Sequence, residues 1–162
     1  MTIKTLKVFH VLALCIFVGS IPAHIILGGI AQSAQDAETF AVLHQAKYVL
    51  TYGLTTVGIA LTLISGILLG LSQKHTFRTR WLRTKLFLVL AIVINGAIIL
   101  TPTAERMKNM AMDAMNSGAL SPEFHAAENQ EAIAGAINIV LILVIFILAI
   151  VKPSLGSPSK EV

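Results

Sequence analysis

The sequence is poor in charged residues, in aromatic residues and in cysteine. Charged side chains make up 12% of the 162 residues and aromatic ones 6%, whereas soluble domains carry about 25% charged residues. So little charge excludes a disordered tail, a nucleic-acid module and almost any water-soluble enzyme. The single cysteine, Cys15, excludes an internal disulfide framework and a zinc site built from cysteines. With 56% hydrophobic residues and a mean hydropathy of +0.81, the chain has the composition of a small integral membrane protein.

Four apolar stretches account for most of the chain. A helix needs about 20 apolar residues to cross a hydrocarbon core of about 30 Å, and each stretch is near that length. We therefore predict transmembrane helices at 8–30, 48–71, 82–101 and 132–151. Together they predict an all-α, four-helix transmembrane bundle that forms a single integral membrane domain over residues 1–162.

Basic residues are distributed unevenly among the segments between these helices. The N-terminus, the second loop and the C-terminal segment hold nine of the twelve Lys and Arg residues and one acid, Glu161. The other two loops hold three basic residues and seven acids. Because cytoplasmic loops carry the excess of Lys and Arg, we predict that both termini are cytoplasmic. This topology also explains the net charge of +4, so nucleic acid is not expected as a partner.

Helix one carries two histidines, His10 and His24. Each residue of a helix adds a rotation of about 100°, so a spacing of fourteen residues stops about 40° short of four full turns. Both imidazoles therefore lie on nearly one face of the helix, about 21 Å apart along its axis. Histidines inside membrane helices usually face the bundle interior, and neutral imidazole is a common axial ligand of haem iron. The pattern predicts His10 and His24 as ligands of haem iron, one near each membrane face.

Each histidine also has an interpretation without a cofactor. His10 would then hydrogen-bond a headgroup or a backbone carbonyl at the membrane surface. His24, two residues after a proline, would satisfy a carbonyl that the proline leaves without a donor. Spacing does not supply the second ligands, because helical rise places the remaining histidines at other depths: His44, His75 and His125.

The loop between the third and fourth helices spans 102–131, and its residues 103–115 predict a short interfacial helix. Ser121 followed by Pro122 is typical of an N-cap and a first helical position, so an alternative start of helix four lies near Pro122, beyond the bilayer. This loop carries His125 and four methionines: Met107, Met110, Met112 and Met115. Soft thioethers select Cu(I), so copper is an alternative cofactor. Helical geometry spreads the four methionines over about 200°, which favours flexible packing at the membrane surface instead.

Small residues recur at four-residue intervals along helix two: Gly58, Thr62, Gly66 and Gly70. Such a seam lets another backbone approach closely. It would serve packing within the bundle, contact with a second copy or another membrane protein, or space for a flat macrocycle. The second possibility makes the chain a cofactor-free accessory subunit of a larger membrane complex.

Four short stretches carry a family resemblance. They are Lys-Val-Phe-His-Val-Leu at 7–12, Ser-Gly at 65–66, Trp-Leu-Arg-Thr-Lys-Leu at 81–86 and Val-Lys-Pro at 151–153. Together they resemble a bacterial family of predicted four-helix integral membrane proteins, which implies a multi-pass protein of the inner membrane. The first-helix histidine and the Trp-Leu-x-x-Lys element also look similar to the four-helix membrane type of protoporphyrinogen oxidase and to copper-resistance-type membrane domains. The oxidase resemblance implies haem association, with His10 and Lys85 as functional positions.

The leading prediction is a haem b-binding membrane protein that works in electron transfer or a related redox step. His10 is the first candidate ligand and His24 the second. Lys85, on the same side of the membrane as His10, is the candidate partner of a haem propionate. A cofactor-free accessory subunit and a copper-handling membrane protein are the two alternatives.

Overall fold

The computed structural model describes residues 2–72 and 80–151. These residues form four long helices and no strand: α1 (Ile3–Gln32), α2 (Ala37–Ser72), α3 (Arg80–Ser117) and α4 (Glu123–Val151). Each of the four is long and apolar enough to cross a membrane. The predicted all-α architecture with four transmembrane helices is therefore confirmed. The second loop, with His75, and the segment after residue 151 lie outside the described residues.

Two short turns join the helices at the end of the bundle opposite the termini. At the first turn the Asp36 carboxylate accepts the backbone N–H of Thr39 at 2.7 Å and so caps the start of α2. At the second turn Gly118 ends α3 with a φ of 74°, a left-handed conformation that glycine adopts without steric cost. Because both turns are short, α1 and α2 are antiparallel neighbours, and so are α3 and α4.

The helices are longer than the apolar stretches predict. α2 begins at Ala37 rather than at residue 48, and α4 begins at Glu123, next to the alternative start that Ser121 and Pro122 predict and nine residues before its apolar stretch. The segment predicted as a separate interfacial helix is continuous with α3. At about 1.5 Å per residue α2 is about 54 Å long, so much of it extends beyond a hydrocarbon core of about 30 Å. The exposed faces of these extensions are polar, so their sequence resembles that of a loop. Their buried faces pack on one another.

Two wide π-helical turns interrupt the long helices, at Thr51–Thr56 in α2 and at Gly96–Leu100 in α3. The second one precedes Pro102, whose ring clashes with the carbonyl four residues earlier in a regular helix. The wider turn relaxes this spacing, so α3 continues past a proline that ordinarily marks the end of a helix. This explains why the interfacial segment is not separate from the third helix.

The bundle has two apolar cores. The core at mid-height forms around Phe17 of α1, Ile92 of α3 and Ile142 of α4. The core at the turn end contains Ala41, Met107, Ala111, Phe124 and Ala127 and joins the extensions of α2, α3 and α4. Large apolar side chains outside these cores are exposed along all four helices, as expected where lipid covers the surface.

The helices associate as two pairs. α1 and α2 approach so closely that a Cβ on Gly58 would lie 2.7 Å from the Phe17 backbone nitrogen. α3 and α4 are joined by the Asn95 side chain, whose amide donates to Asn138 Oδ1 at 2.8 Å and to the Ala134 carbonyl at 2.9 Å. Among the described residues, 57–72 of α2 and 80–95 of α3 make almost no backbone contact. The two pairs therefore separate toward the end that carries the chain termini.

Candidate functional site

A cleft of about 260 Å³ lies where the two helix pairs separate. α1, α2 and α3 line it, mostly with aliphatic side chains, and its polar groups include those of His10, Thr62, Trp81 and Lys85. The structure thus brings together His10 and Lys85, two of the three residues that the sequence singles out. The third, His24, is not among the lining residues.

His10 is held in one orientation by Ser65 of α2. Its Nδ1 lies 2.8 Å from Ser65 Oγ, and the Ser65 hydroxyl donates to the Leu61 carbonyl at 2.6 Å. When the Ser65 hydroxyl donates its one hydrogen to this carbonyl, Ser65 accepts from His10, and Nδ1 carries the imidazole proton. In that arrangement the other nitrogen, Nε2, keeps its lone pair. This is the tautomer and the support that a metal-binding histidine requires.

The small-residue seam of α2 has two different uses. At Gly58 it lets the α1 backbone pack against α2, as described above. At Gly66 it makes room for the histidine, since a Cβ there would lie 3.2 Å from His10 Cε1. Gly66 and Gly70 also line the cleft together with Thr62. Both uses lie within the chain, and contact with a second copy stays a prediction.

Lys85 supplies positive charge to the cleft from the α3 side. Its side chain is half-buried, and no acid lies within ion-pair distance of it among residues 2–72 and 80–151. Trp81, one turn earlier on α3, lines the same cleft. An ammonium group beside an apolar cavity is suited to a ligand that carries a carboxylate or a phosphate on an otherwise apolar body.

His24 belongs to a separate polar cluster between α1 and α2. Its Nδ1 lies 2.8 Å from the Ser20 carbonyl oxygen and its Nε2 3.0 Å from Thr51 Oγ1. The Ser20 hydroxyl donates to the Phe17 carbonyl at 2.7 Å and accepts from Thr55 at 2.9 Å. Both ring nitrogens of His24 therefore face protein oxygens, which favours the interpretation of His24 as a hydrogen-bonding residue.

The carbonyl that His24 contacts is not the one that its neighbouring proline leaves without a donor. Pro22 would leave the Val18 carbonyl unpaired, whereas the imidazole contacts that of Ser20. His24 is therefore linked to α2 by its hydrogen bond with Thr51, and the proline does not explain its position.

The remaining candidate ligands do not converge. Met107 is buried in the core at the turn end and Met110 packs against that core, whereas Met112 and Met115 are exposed. His44 is buried between aromatic rings, with its centroid 4.6 Å from Phe40 and 5.1 Å from Phe124. Within the described residues no group of three or more His, Cys, Asp or Glu side chains is placed to hold a metal ion.

An ion pair that the sequence does not predict closes the bundle above His24. Lys47 Nζ lies 2.7 Å from Glu131 Oε2, and the two side chains are 8% and 20% exposed. Lys47 crosses α1 at Gly28, where a Cβ would lie 3.6 Å from its Nζ. Both residues border apolar stretches in the sequence, where charged residues of loops are common. Only the fold shows that the two side chains face each other.

One comparison with known proteins identifies the chain's family. A family model described as a predicted integral membrane protein (DUF2269) matches residues 4–153. The chain belongs to the DUF2269 family. No curated protein and no solved structure matches the chain. DUF2269 membership agrees with the four spanning helices, and the chain is a multi-pass integral membrane protein.

Proposed function

We propose that this DUF2269 protein binds haem b in the cleft between its helix pairs and works in electron transfer or a related redox step. The observation that supports the proposal is the His10–Ser65 hydrogen bond. With Nδ1 donating to Ser65, the Nε2 lone pair is available beside an apolar cleft that also contains Lys85.

The residues around the cleft fit such a group in three respects. His10 offers neutral imidazole with its second nitrogen already donating, and this support raises the basicity of the ligand and fixes the ring. Gly66 and Gly70 carry no side chain that would occupy the cleft beside His10. Lys85 offers an ammonium group for a propionate carboxylate. When bound, haem would supply a one-electron redox centre.

The cleft would enclose only part of a tetrapyrrole, since ligand sites usually have volumes of about 300–1,000 Å³ and this one has about 260 Å³. The remainder would lie against lipid. In this arrangement the chain's own residues orient the group and exclude water from one face, with Phe17 and Ile92 at the apolar end of the cleft. We further propose that the protein lies in a bacterial inner membrane with both termini cytoplasmic, as the distribution of Lys and Arg predicts. The cleft then opens toward the cytoplasmic half.

The first test is the absorption spectrum of the detergent-purified protein from haem-sufficient cells, as isolated and after dithionite. We expect stoichiometric haem with a Soret band that shifts and sharpens on reduction. His10→Ala should lose the haem or change the spectrum to that of another ligation state. A His10→Ala protein with full haem content and an unchanged spectrum would refute the proposal.

Two matched variants separate ligation from general damage. His125→Ala removes a histidine that is 74% exposed outside the cleft, and it should leave haem content and spectrum unchanged. Ser65→Ala removes only the support of His10 and should keep haem while shifting its reduction potential. A featureless spectrum of the unmodified protein would refute haem binding and leave the accessory-subunit and copper interpretations, between which metal analysis decides.

A further inference from the structure

The cleft between the helix pairs is long and narrow. Its lining residues run from Ile59 to Gly70 on α2 and from Trp81 to Ile92 on α3, which is about 16 Å of helix at about 1.5 Å per residue. The hydrocarbon region of one leaflet is about 15 Å thick, half of a core of about 30 Å. A volume of about 260 Å³ over a length of about 16 Å leaves a mean cross-section of about 16 Å². A space of this shape admits one extended hydrocarbon chain.

The cleft is open toward the bilayer between α2 and α3. Within the described residues, 57–72 of α2 and 80–95 of α3 make almost no backbone contact, so helix packing does not close this side. Ile67 lines the cleft and is also 42% exposed, which places part of the rim at the lipid-facing surface. A hydrocarbon chain can therefore enter sideways while the rest of its molecule stays in the bilayer.

Lys85 is a half-buried cation in this cleft, and the chain around it supplies no counter-charge. The sequence contains no Asp or Glu at 1–35, 39–104 or 132–160, and these ranges include every residue that lines the cleft. An ammonium group that is partly removed from water is stabilised by an opposite charge. Among the described residues no acid is placed to provide it, so the charge of the cleft complements an anionic ligand.

The polar and apolar groups of the cleft lie at opposite ends. Lys85 is seven residues before Ile92, so it starts about 10 Å from the core at mid-height, and helical side chains lean toward the helix N-terminus, here the termini end. Trp81, one turn earlier, also lines the cleft and has an indole N–H donor. Phe17 and Ile92 form the apolar end. This is the polarity of a membrane lipid, whose headgroup lies at the surface and whose chains point to the midplane.

We propose that the cleft binds an anionic phospholipid from the leaflet at the termini end of the bundle. Its phosphate pairs with Lys85 and one acyl chain lies between α2 and α3. The second chain stays in the bilayer, because the cleft has room for one chain and is open sideways. Basic pockets between transmembrane helices are known to bind anionic headgroups. The proposal rests on the cleft of the proposed function but does not require haem, and the two ligands would exclude each other because both place an anionic group on Lys85.

The test is native mass spectrometry of the full chain from haem-deficient cells, with dioleoylphosphatidylglycerol or dioleoylphosphatidylcholine added to the micelles. The two lipids have the same chains and differ in net charge. From the usual effect of one basic residue near the membrane surface, we expect phosphatidylglycerol to bind about fivefold more tightly. Equal affinities would overturn the proposal. Tighter binding of oleate would overturn it as well, because the ligand would then be a fatty acid.

Two cations on one helix separate the cleft from the general charge of the surface. Lys85→Met should lower the affinity for phosphatidylglycerol about fivefold, to that for phosphatidylcholine. Arg83→Met removes an exposed cation that does not line the cleft, so it should leave the affinity unchanged. An equal loss in both variants would show that the lipid follows surface charge alone and would refute the site.

Two enlarged side chains test whether the acyl chain lies in the cleft. Val89→Phe fills the cleft while keeping Lys85, and it should abolish the preference for phosphatidylglycerol. Leu90→Phe adds the same ring to a side chain that is 54% exposed and should keep the preference. An unchanged preference in Val89→Phe would place the lipid elsewhere. Circular dichroism of each variant shows that the helices are intact.

The lipid site and the haem site fail in different ways. A preference for phosphatidylglycerol that depends on Lys85, in a protein that takes up no haem, would refute the proposed function and support the lipid site. Haem uptake without any preference between the two lipids would do the opposite. If haem and phosphatidylglycerol bind together without competition, the two do not share the cleft and the lipid site is wrong.

Discussion

Lys47 and Glu131 form an ion pair of 2.7 Å between α2 and α4, directly over Gly28 of α1. The pair thus joins three helices and links the two helix pairs at the end where the cleft is absent. Breaking a buried pair by removing one partner is costly because it leaves the other charge uncompensated.

Removing one member of this pair should therefore destabilise the bundle more than removing both. We expect Lys47→Met and Glu131→Met each to cost about 3 kcal/mol, and Lys47→Met/Glu131→Met to recover most of the loss. Reversible unfolding in mixed micelles measures these differences. Equal losses in the single and double variants would show that the pair is solvated and contributes little.

The glycines of α2 should differ in their tolerance of a methyl group. Gly58→Ala places Cβ against the α1 backbone, which cannot yield locally, so we expect a loss of about 1–3 kcal/mol. Gly66→Ala meets only the edge of the His10 ring at 3.2 Å and should turn that ring with a smaller loss. Gly19→Ala, with no atom within 4 Å of the new Cβ, is the matched control and should be neutral or stabilising. Thermal unfolding of the three variants would contradict this order if Gly58→Ala matched the control.

The strength of the hydrogen bond that caps the start of α2 should depend on pH. The backbone N–H of Thr39 lowers the pKa of Asp36 below its ordinary value of 3.8. A carboxylate with a lowered pKa stabilises the folded state above its unfolded pKa, and this contribution is lost as the pH falls through the folded pKa.

We therefore expect Asp36→Ala to speed amide hydrogen exchange at Thr39 at neutral pH. Asp36→Ser keeps an uncharged cap and should show no such loss of protection between about pH 6 and about pH 3, whereas the unmodified protein should approach Asp36→Ala at the acid end. Protection at Thr39 that stays constant in the unmodified protein over this range would rule out the carboxylate as the cap.

Lys85 and His10 should affect haem differently if the proposed function is right. Lys85→Met should lower haem retention during gel filtration without changing the Soret position, because the ammonium contacts the periphery and not the iron. Lys85→Arg keeps the charge and should retain haem nearly as well as the unmodified protein. A changed Soret position in Lys85→Met would instead assign Lys85 to the iron.

The sequence predicts the four spanning helices because apolar runs near 20 residues have few other uses. It also predicts that His10 and Lys85 lie on the same side, since both are near the termini end of their helices. Ser65 is not predictable as the partner of His10. That contact depends on how closely α1 and α2 approach, which the packing of Gly58 on Phe17 determines.

Thr51 is hidden from sequence analysis for another reason. Helical angles counted along α2 assume a constant period, and the wide turn that starts at Thr51 breaks it. The same holds for α3, where Pro102 suggests the end of a helix and the turn at Gly96–Leu100 lets the helix continue. These two features come from the wide turns, which no hydropathy pattern marks.

The wide turn at Thr51–Thr56 also determines where α2 tolerates a change of length. A π-turn holds one residue more than the helix it interrupts, so removing one residue inside it restores a regular helix and leaves Lys47 and Ser65 facing their present partners. Removing one residue between 57 and 64 instead rotates the two ends of α2 relative to each other by about 100° and takes the Ser65 hydroxyl away from His10. Single-residue insertions and deletions in α2 among DUF2269 sequences should therefore gather at this turn, where α2 holds one residue more than a regular helix requires.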